Sequence, residues 1–181
     1  MKNKKHIFLV GFMGSGKTSL GKLIAKSLNV NFIDTDRFIE DQEKSQIQEI
    51  FKEKGESYFR KLEHEFILNL SQFEKPTLFA TGGGMPIFNG NLSLMKKNGI
   101  VVFLNISAGK LHFRLKNDKK RPLINVNDNL FDFINNKLNE RLPIYSQADI
   151  IEDAGLKKAE IVTNLLSKIN SFKLKYELLI T

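Results

Sequence analysis

The chain has 181 residues and no cysteine. Disulfides, thiolate metal sites and cysteine nucleophiles are therefore excluded. Tryptophan is also absent while phenylalanine occurs 15 times, so aromatic packing must rest on Phe. Proline is scarce, at four residues, and no Pro/Gly/Ser-rich linker, internal repeat or low-complexity block divides the chain. A single domain over 1–181 with a sizeable core is expected. No run of 18 apolar residues occurs, and the stretch Ile7–Val10 is too short for a signal peptide or a membrane span. The expectation is a soluble, cytoplasmic protein with no membrane partner. Acidic side chains are outnumbered 20 to 28, which leaves a net charge of +8 and a pI near 9.6. The lysines are dispersed, and neither a continuous basic helix nor an aromatic-interleaved basic stripe appears. Nucleic acid is not the expected partner, and the excess charge suits small anions.

Short apolar runs alternate with amphipathic stretches, the pattern of βαβ units and an open parallel sheet flanked by helices. Five strands are expected at His6–Val10, Asn31–Asp34, Thr77–Thr81, Ile100–Asn105 and Asp149–Glu152. Helices are expected at Lys17–Leu28, Asp36–Asp41, Ile47–Phe73, Gly90–Lys97, Ala108–Leu115, Leu130–Tyr145 and Leu156–Phe172. The long third helix should break near Gly55, where Glu56 can begin a new first turn. Phe51, Phe59, Leu62, Phe66 and Leu70 recur at helical spacing and read as core. Lys116–Asn129 is charged and aperiodic, and reads as a mobile loop that closes as a lid.

Residues Gly11 to Thr18, G-F-M-G-S-G-K-T, fit G-x-x-x-x-G-K-[ST] between an apolar strand and a helix, as a phosphate-binding loop requires. Its glycines let backbone N–H groups turn toward a phosphate, and the helix N-terminus adds partial positive charge. Gly14, Ser15, Gly16, Lys17, Thr18 and Ser19 are the expected nucleotide contacts, with Lys17 on the β/γ-phosphates and the Thr18 hydroxyl on Mg²⁺. The second strand ends in Asp34-Thr35-Asp36, two carboxylates at i and i+2 that would share one side of an extended chain. One suits a water-mediated Mg²⁺ contact and the other a substrate hydroxyl, although Asp36 could instead cap a helix. Gly82-Gly83-Gly84 follows the third strand and lets a ligand approach the backbone closely, or simply makes a sharp turn. Arg60, Arg121 and Arg141 each read alone as surface residues, but guanidinium groups bind carboxylates and phosphates bidentately, so three placed at the ligand ends of parallel strands would suit an anionic acceptor and a transferring phosphoryl group.

Taken together, these blocks resemble the shikimate kinase family. G-F-M-G-S-G-K-T, D-T-D, F-x-x-x-G-E-x-x-F-R-x-x-E (Phe51 to Glu63), G-G-G, R-P-L (from Arg121) and R-x-P-x-Y (from Arg141) occur in the family's order. The resemblance implies a P-loop NTPase fold of the nucleoside-monophosphate-kinase type. It also implies ATP-dependent phosphorylation of shikimate in aromatic amino acid biosynthesis, and a monomer. It places Asp36, Arg60, Gly82, Gly83, Gly84 and Arg141 around shikimate, and makes about 36–63 a shikimate-binding helical region. It puts Arg121 on a lid over the phosphates, Arg114 against adenine, and Thr18 and Asp34 at Mg²⁺. Lys17, Asp36 and Arg121 are then the catalytic set. Two alternatives share the phosphate loop: a related small-molecule kinase such as a gluconate kinase, and a non-catalytic nucleotide-binding regulatory module. The paired Arg60 and Arg141 contexts disfavour the first. Contacts near 152–158 have no sharp signature and receive no assignment.

Overall fold

A computed structural model describes residues 5–116 and 129–176. Strands β1 (His6–Val10), β2 (Asn31–Asp34), β3 (Thr77–Ala80), β4 (Gly99–Asn105) and β5 (Ile150–Asp153) form one all-parallel sheet in the order β2-β3-β1-β4-β5. The first strand lies in the middle: the chain crosses to the edge at β2, returns to β3 beside β1, and then builds outward through β4 and β5 on the other side. A crevice forms beyond the C-terminal end of β1, where the direction of winding reverses. Helices α1 (Lys17–Leu28), α2 (Thr35–Glu43), α3 (Ile47–Leu68), α4 (Asn91–Asn98), α5 (Ala108–Leu115), α6 (Leu130–Tyr145) and α7 (Lys158–Tyr176) cover the sheet. Residues 117–128, with Arg121 and most of the expected lid, lie outside the described residues.

Strand periodicity divides the core between the two faces of the sheet. Ile7 and Leu9 pack with Leu20 and Ile24 of α1 and Leu165 and Ile169 of α7. Phe8 and Val10 face the opposite way, toward Phe66 and Ile67 of α3 and Met95 of α4. The phenylalanine surplus is concentrated on this second face. Phe79 stacks on Phe8 at 5.2 Å between ring centroids and meets Phe66 edge-on at 5.4 Å. Such pairs add about 0.5–1.5 kcal/mol each beyond the area they bury.

The boundaries of four helices differ from the sequence expectation, that of α4 by a one-residue shift to Asn91–Asn98. Helix α2 starts at Thr35 because the Asp34 side chain accepts from the Asp36 backbone N–H at 3.2 Å. Asp34 is therefore the cap, and Asp36 occupies the first helical turn rather than an extended strand end. Helix α3 ends at Leu68, and a 3₁₀ turn at Leu70–Gln72 carries the chain on toward β3. Helix α7 begins at Lys158, two residues later than expected. Gly55 does interrupt α3, with φ 80° and ψ 167°, a conformation strongly disfavoured for other residues.

Candidate active site

The loop after β1 wraps around the N-terminus of α1, with positive φ at Gly11, Gly14 and Gly16. Lys17 Nζ donates to the carbonyls of Gly11 and Phe12 at 2.8 and 2.9 Å, which holds the ammonium across the mouth of the loop. The Thr18 hydroxyl donates to Asp34 Oδ2 at 2.7 Å. Loop, threonine and carboxylate border a cleft of about 250 Å³. The chemistry of this donor set fits Mg²⁺. It offers hard oxygen ligands, and no cluster of three or more His, Cys, Asp or Glu side chains suited to a metal occurs among the described residues. An ion here would complete its coordination with phosphate oxygens and water.

A second cleft, of about 430 Å³, adjoins the first through Met13, Thr18, Asp34, Asp36 and Gly83. Arg60, Glu63, Gly82, Gly84 and Arg141 line its far side. Arg60 enters from the half of α3 that restarts after Gly55. Its Nη1 donates to Glu63 Oε2 at 2.6 Å, and its Nη2 and Nε donate to Glu56 Oε1 at 2.8 and 3.1 Å. Helical spacing accounts for both partners, at i+3 and i−4. Arg141 comes from α6, its guanidinium lying 5.4 Å from the centroid of the Phe12 ring. Tyr145, one turn further along α6, donates to the Gly83 carbonyl at 2.5 Å and pins the glycine turn. A β-carbon on Gly82 would lie 2.4 Å from Glu63 Oε1 and 2.7 Å from Asp36 Oδ1. Side chains are excluded from the turn because charged groups crowd against it.

Glu63 is fully buried, and its Oε1 has no hydrogen-bond partner among the described residues. Burial pushes its carboxyl up to about 7, while the adjacent Arg60 guanidinium pulls in the opposite direction. The sequence motif includes Glu63 and Tyr145, but residue-type reasoning gave neither a role. The i, i+3 spacing of Glu63 from Arg60 was the available signal for the first. Nothing local marked the second, whose hydroxyl acts on a residue 62 positions away. Phe51 and Phe59, read as core, do pack together at 5.0 Å between centroids, and they also wall this cleft. Thr35 is likewise buried. It donates to the Ala80 carbonyl at 3.3 Å and accepts from the Gly82 N–H at 3.0 Å, which ties the start of α2 to the glycine turn.

On the other side of the phosphate loop, Arg114 donates to the Gly14 carbonyl at 3.0 Å and to the Ala154 carbonyl at 3.0 Å. It bridges the loop to the segment after β5, beside a groove of about 300 Å³ that Leu156 and Lys158 also line. Ser19 caps back onto the Gly16 carbonyl at 3.2 Å at the edge of this groove. The structure thus brings every expected site residue except the undescribed Arg121 to the C-terminal edge of the sheet.

A family model described as shikimate kinase matches residues 13–170. A curated shikimate kinase of Sulfurihydrogenibium sp. (strain YO3AOP1) is 43% identical over 166 residues, covering 91% of this chain and 98% of its own. The crystal structure of shikimate kinase from Bacteroides thetaiotaomicron is similar with a TM-score of 0.82 and 38% identity, covering 96% of this chain and 99% of that one. Shikimate kinase from Acinetobacter baumannii, solved in complex with shikimate, gives a TM-score of 0.86 at 34% identity, covering 94% and 95% of the two chains.

Proposed function

This chain belongs to the shikimate kinase family, and from that premise we propose that its two adjoining clefts transfer the γ-phosphoryl group of ATP to a hydroxyl of shikimate, giving shikimate 3-phosphate and ADP. One observation carries the reading. A phosphate loop and a pair of guanidinium groups face each other across a wall formed by Asp34, Asp36 and Gly83, which suits a nucleotide on one side and an anionic acceptor on the other.

Each residue follows from its chemistry. Gly14, Ser15, Gly16 and Ser19 hold the phosphates by backbone and hydroxyl contacts, and Arg114 lies against the base. Lys17 leaves its two carbonyls for the β/γ-phosphates, a move within reach because it borders the same cleft. Thr18 would hold Mg²⁺ and Asp34 its water shell, and the ion would supply charge neutralisation on the phosphates. Arg60 and Arg141 clamp the shikimate carboxylate, the glycines Gly82, Gly83 and Gly84 let the ring approach the backbone, and Asp36 accepts a hydrogen bond from the reacting hydroxyl. Arg121 enters this scheme from its sequence context alone, as the lid residue that reaches the transferring phosphate. Positioning and electrostatics carry the rate, as phosphoryl transfer requires. The enzyme acts as a cytoplasmic monomer without nucleic acid. None of its described helices is long and apolar enough to cross a membrane.

A coupled assay of ADP release with shikimate, gluconate, nucleoside monophosphates and no acceptor tests the proposal. Turnover is expected with shikimate alone. Equal turnover with another acceptor, or none with shikimate, refutes it.

A further inference from the structure

Outside both clefts, a polar relay joins α3 to the segment that follows the glycine turn. Asn91, the first residue of α4, is completely buried. Its Nδ2 donates to the Met85 carbonyl at 2.8 Å, and its Oδ1 lies 2.6 Å from His64 Nδ1. A carbonyl can only accept, so the amide nitrogen of Asn91 must face Met85 and the amide oxygen must face the imidazole. His64 therefore carries its proton on Nδ1 and donates it to Asn91. The lone pair of Nε2 then receives the Asn89 amide, whose Nδ2 lies 3.1 Å away. The Phe88 ring meets the imidazole edge-on at 6.1 Å, and Asn89 and Gly90 have positive φ, so the chain curls around the histidine.

Each end of this relay adjoins residues that line one half of the acceptor cleft. His64 adjoins Glu63, the buried partner of Arg60, and lies one helical turn from Arg60 itself. Met85 adjoins Gly84, against which the Arg60 guanidinium packs so closely that a β-carbon would lie 2.4 Å from Cζ. Met85 N–H also closes back onto the Gly82 carbonyl at 3.1 Å, and Ile87 N–H onto Gly84 at 3.0 Å. Contacts around the outside of the pocket thus link the Arg60-bearing helix to the glycine turn, beside the Tyr145 and Thr35 bonds that hold the same turn.

We propose that His64 and Asn91, assisted by Asn89, are positioning residues for the acceptor site. They fix the separation between the Arg60-bearing helix and the Gly82–Gly84 turn and touch neither substrate. This inference rests on the proposed function, since it concerns shikimate binding. It predicts selectivity: nucleotide binding depends on the loop after β1, and none of His64, Asn89 and Asn91 borders the cleft beside that loop.

Calorimetric titration of shikimate and, separately, of MgADP into wild type, His64→Leu, His64→Asn and Asn89→Gly provides the test. Loss of a partly buried hydrogen bond in His64→Leu should weaken shikimate binding about five- to tenfold and leave MgADP within about twofold. In His64→Asn the amide nitrogen overlays Nδ1 and restores the bond to Asn91, so shikimate affinity should return to within about twofold of wild type. Asn89→Gly keeps the positive φ and removes the outer partner at an exposed site, so about a two- to threefold loss for shikimate alone is expected. Unchanged shikimate affinity in folded His64→Leu, or parallel weakening of both ligands, overturns the proposal. If His64→Leu does not fold, Asn89→Gly decides on the same criterion. Failure of the wild type to bind shikimate overturns the proposed function and this inference with it.

Discussion

Gly84→Ala isolates the crowding of Arg60 against the glycine turn. The backbone at Gly84, with φ −89° and ψ −18°, accommodates alanine without strain. The cost is therefore steric: the new β-carbon would lie 2.4 Å from Arg60 Cζ and Nη1 and 2.6 Å from Nη2. A carbon needs about 3.5 Å from a non-bonded heavy atom, so the guanidinium must retreat by about 1 Å. It cannot swing freely, because Glu63 holds it at 2.6 Å and Glu56 at 2.8 Å. A displacement of about 1 Å in a substrate-positioning group costs up to about 100-fold, or roughly 2.7 kcal/mol. Steady-state kinetics should show KM for shikimate raised by about 30- to 100-fold and KM for ATP changed by less than about twofold. In an Arg60→Ala background the obstruction is gone, and Gly84→Ala should add almost nothing. An unchanged KM for shikimate in the single variant, or full additivity in the double, would refute the reasoning.

Lys17→Met should abolish turnover while circular dichroism and thermal melting remain those of the wild type, because a stem of similar length survives without its charge. Arg141→Ala should weaken shikimate by about 2–5 kcal/mol in calorimetry and spare ATP; equal weakening of both would place Arg141 in the wrong cleft. Arg121→Ala should lower kcat strongly at nearly constant shikimate affinity, and a change confined to shikimate affinity would contradict a role on the transferring phosphate. The pH dependence of stability contains two opposing contributions. His6, buried between Phe8 and Phe79, is held down to about 4 chiefly by desolvation, so its contribution is complete above the ordinary 6.5 and is lost as pH falls toward 4. Glu63 is raised from 4.5 to about 7, so its protonated form stabilises the fold at low pH, and that contribution is lost as pH rises from 4.5 through 7. Each is at most about 3 kcal/mol. Thermal melts against pH should become more acid-sensitive in Glu63→Gln and less so in His6→Phe, and identical profiles in all three proteins would sink the assignment.

Much of the design was legible in one dimension, because the relevant interactions are local or periodic. The phosphate loop is eight contiguous residues whose function lies in their own backbone, so its place between β1 and α1 follows directly from its composition. The strands announce themselves as apolar runs, because a parallel strand covered on both faces must be apolar on both. Gly55 marks the interruption of α3 because its conformation is one that other residues rarely adopt. Arg60 and Arg141 were legible as candidates by residue type and context. What brings them together is the order of the sheet, which sets α3 and α6 on one side of the cleft from positions 81 residues apart.

Other features required the tertiary structure because their partners are distant in sequence. Asp34 and Asp36 read as an extended pair, but the chain turns into a helix at Thr35 once Asp34 caps it, and the two carboxylates take different elements. Glu63 enters the sequence reading only as the end of a motif, and its complete burial is what raises its affinity for a proton. The contact of the Tyr145 hydroxyl with Gly83, and the closure of His64 and Met85 around Asn91, join residues that no local pattern links. The sequence by itself determined which chemical groups were present and the local backbone that presents some of them. Their desolvation, separation and pairing were decided only when the five strands took their places, since these properties depend on neighbours brought together by the fold rather than by the chain.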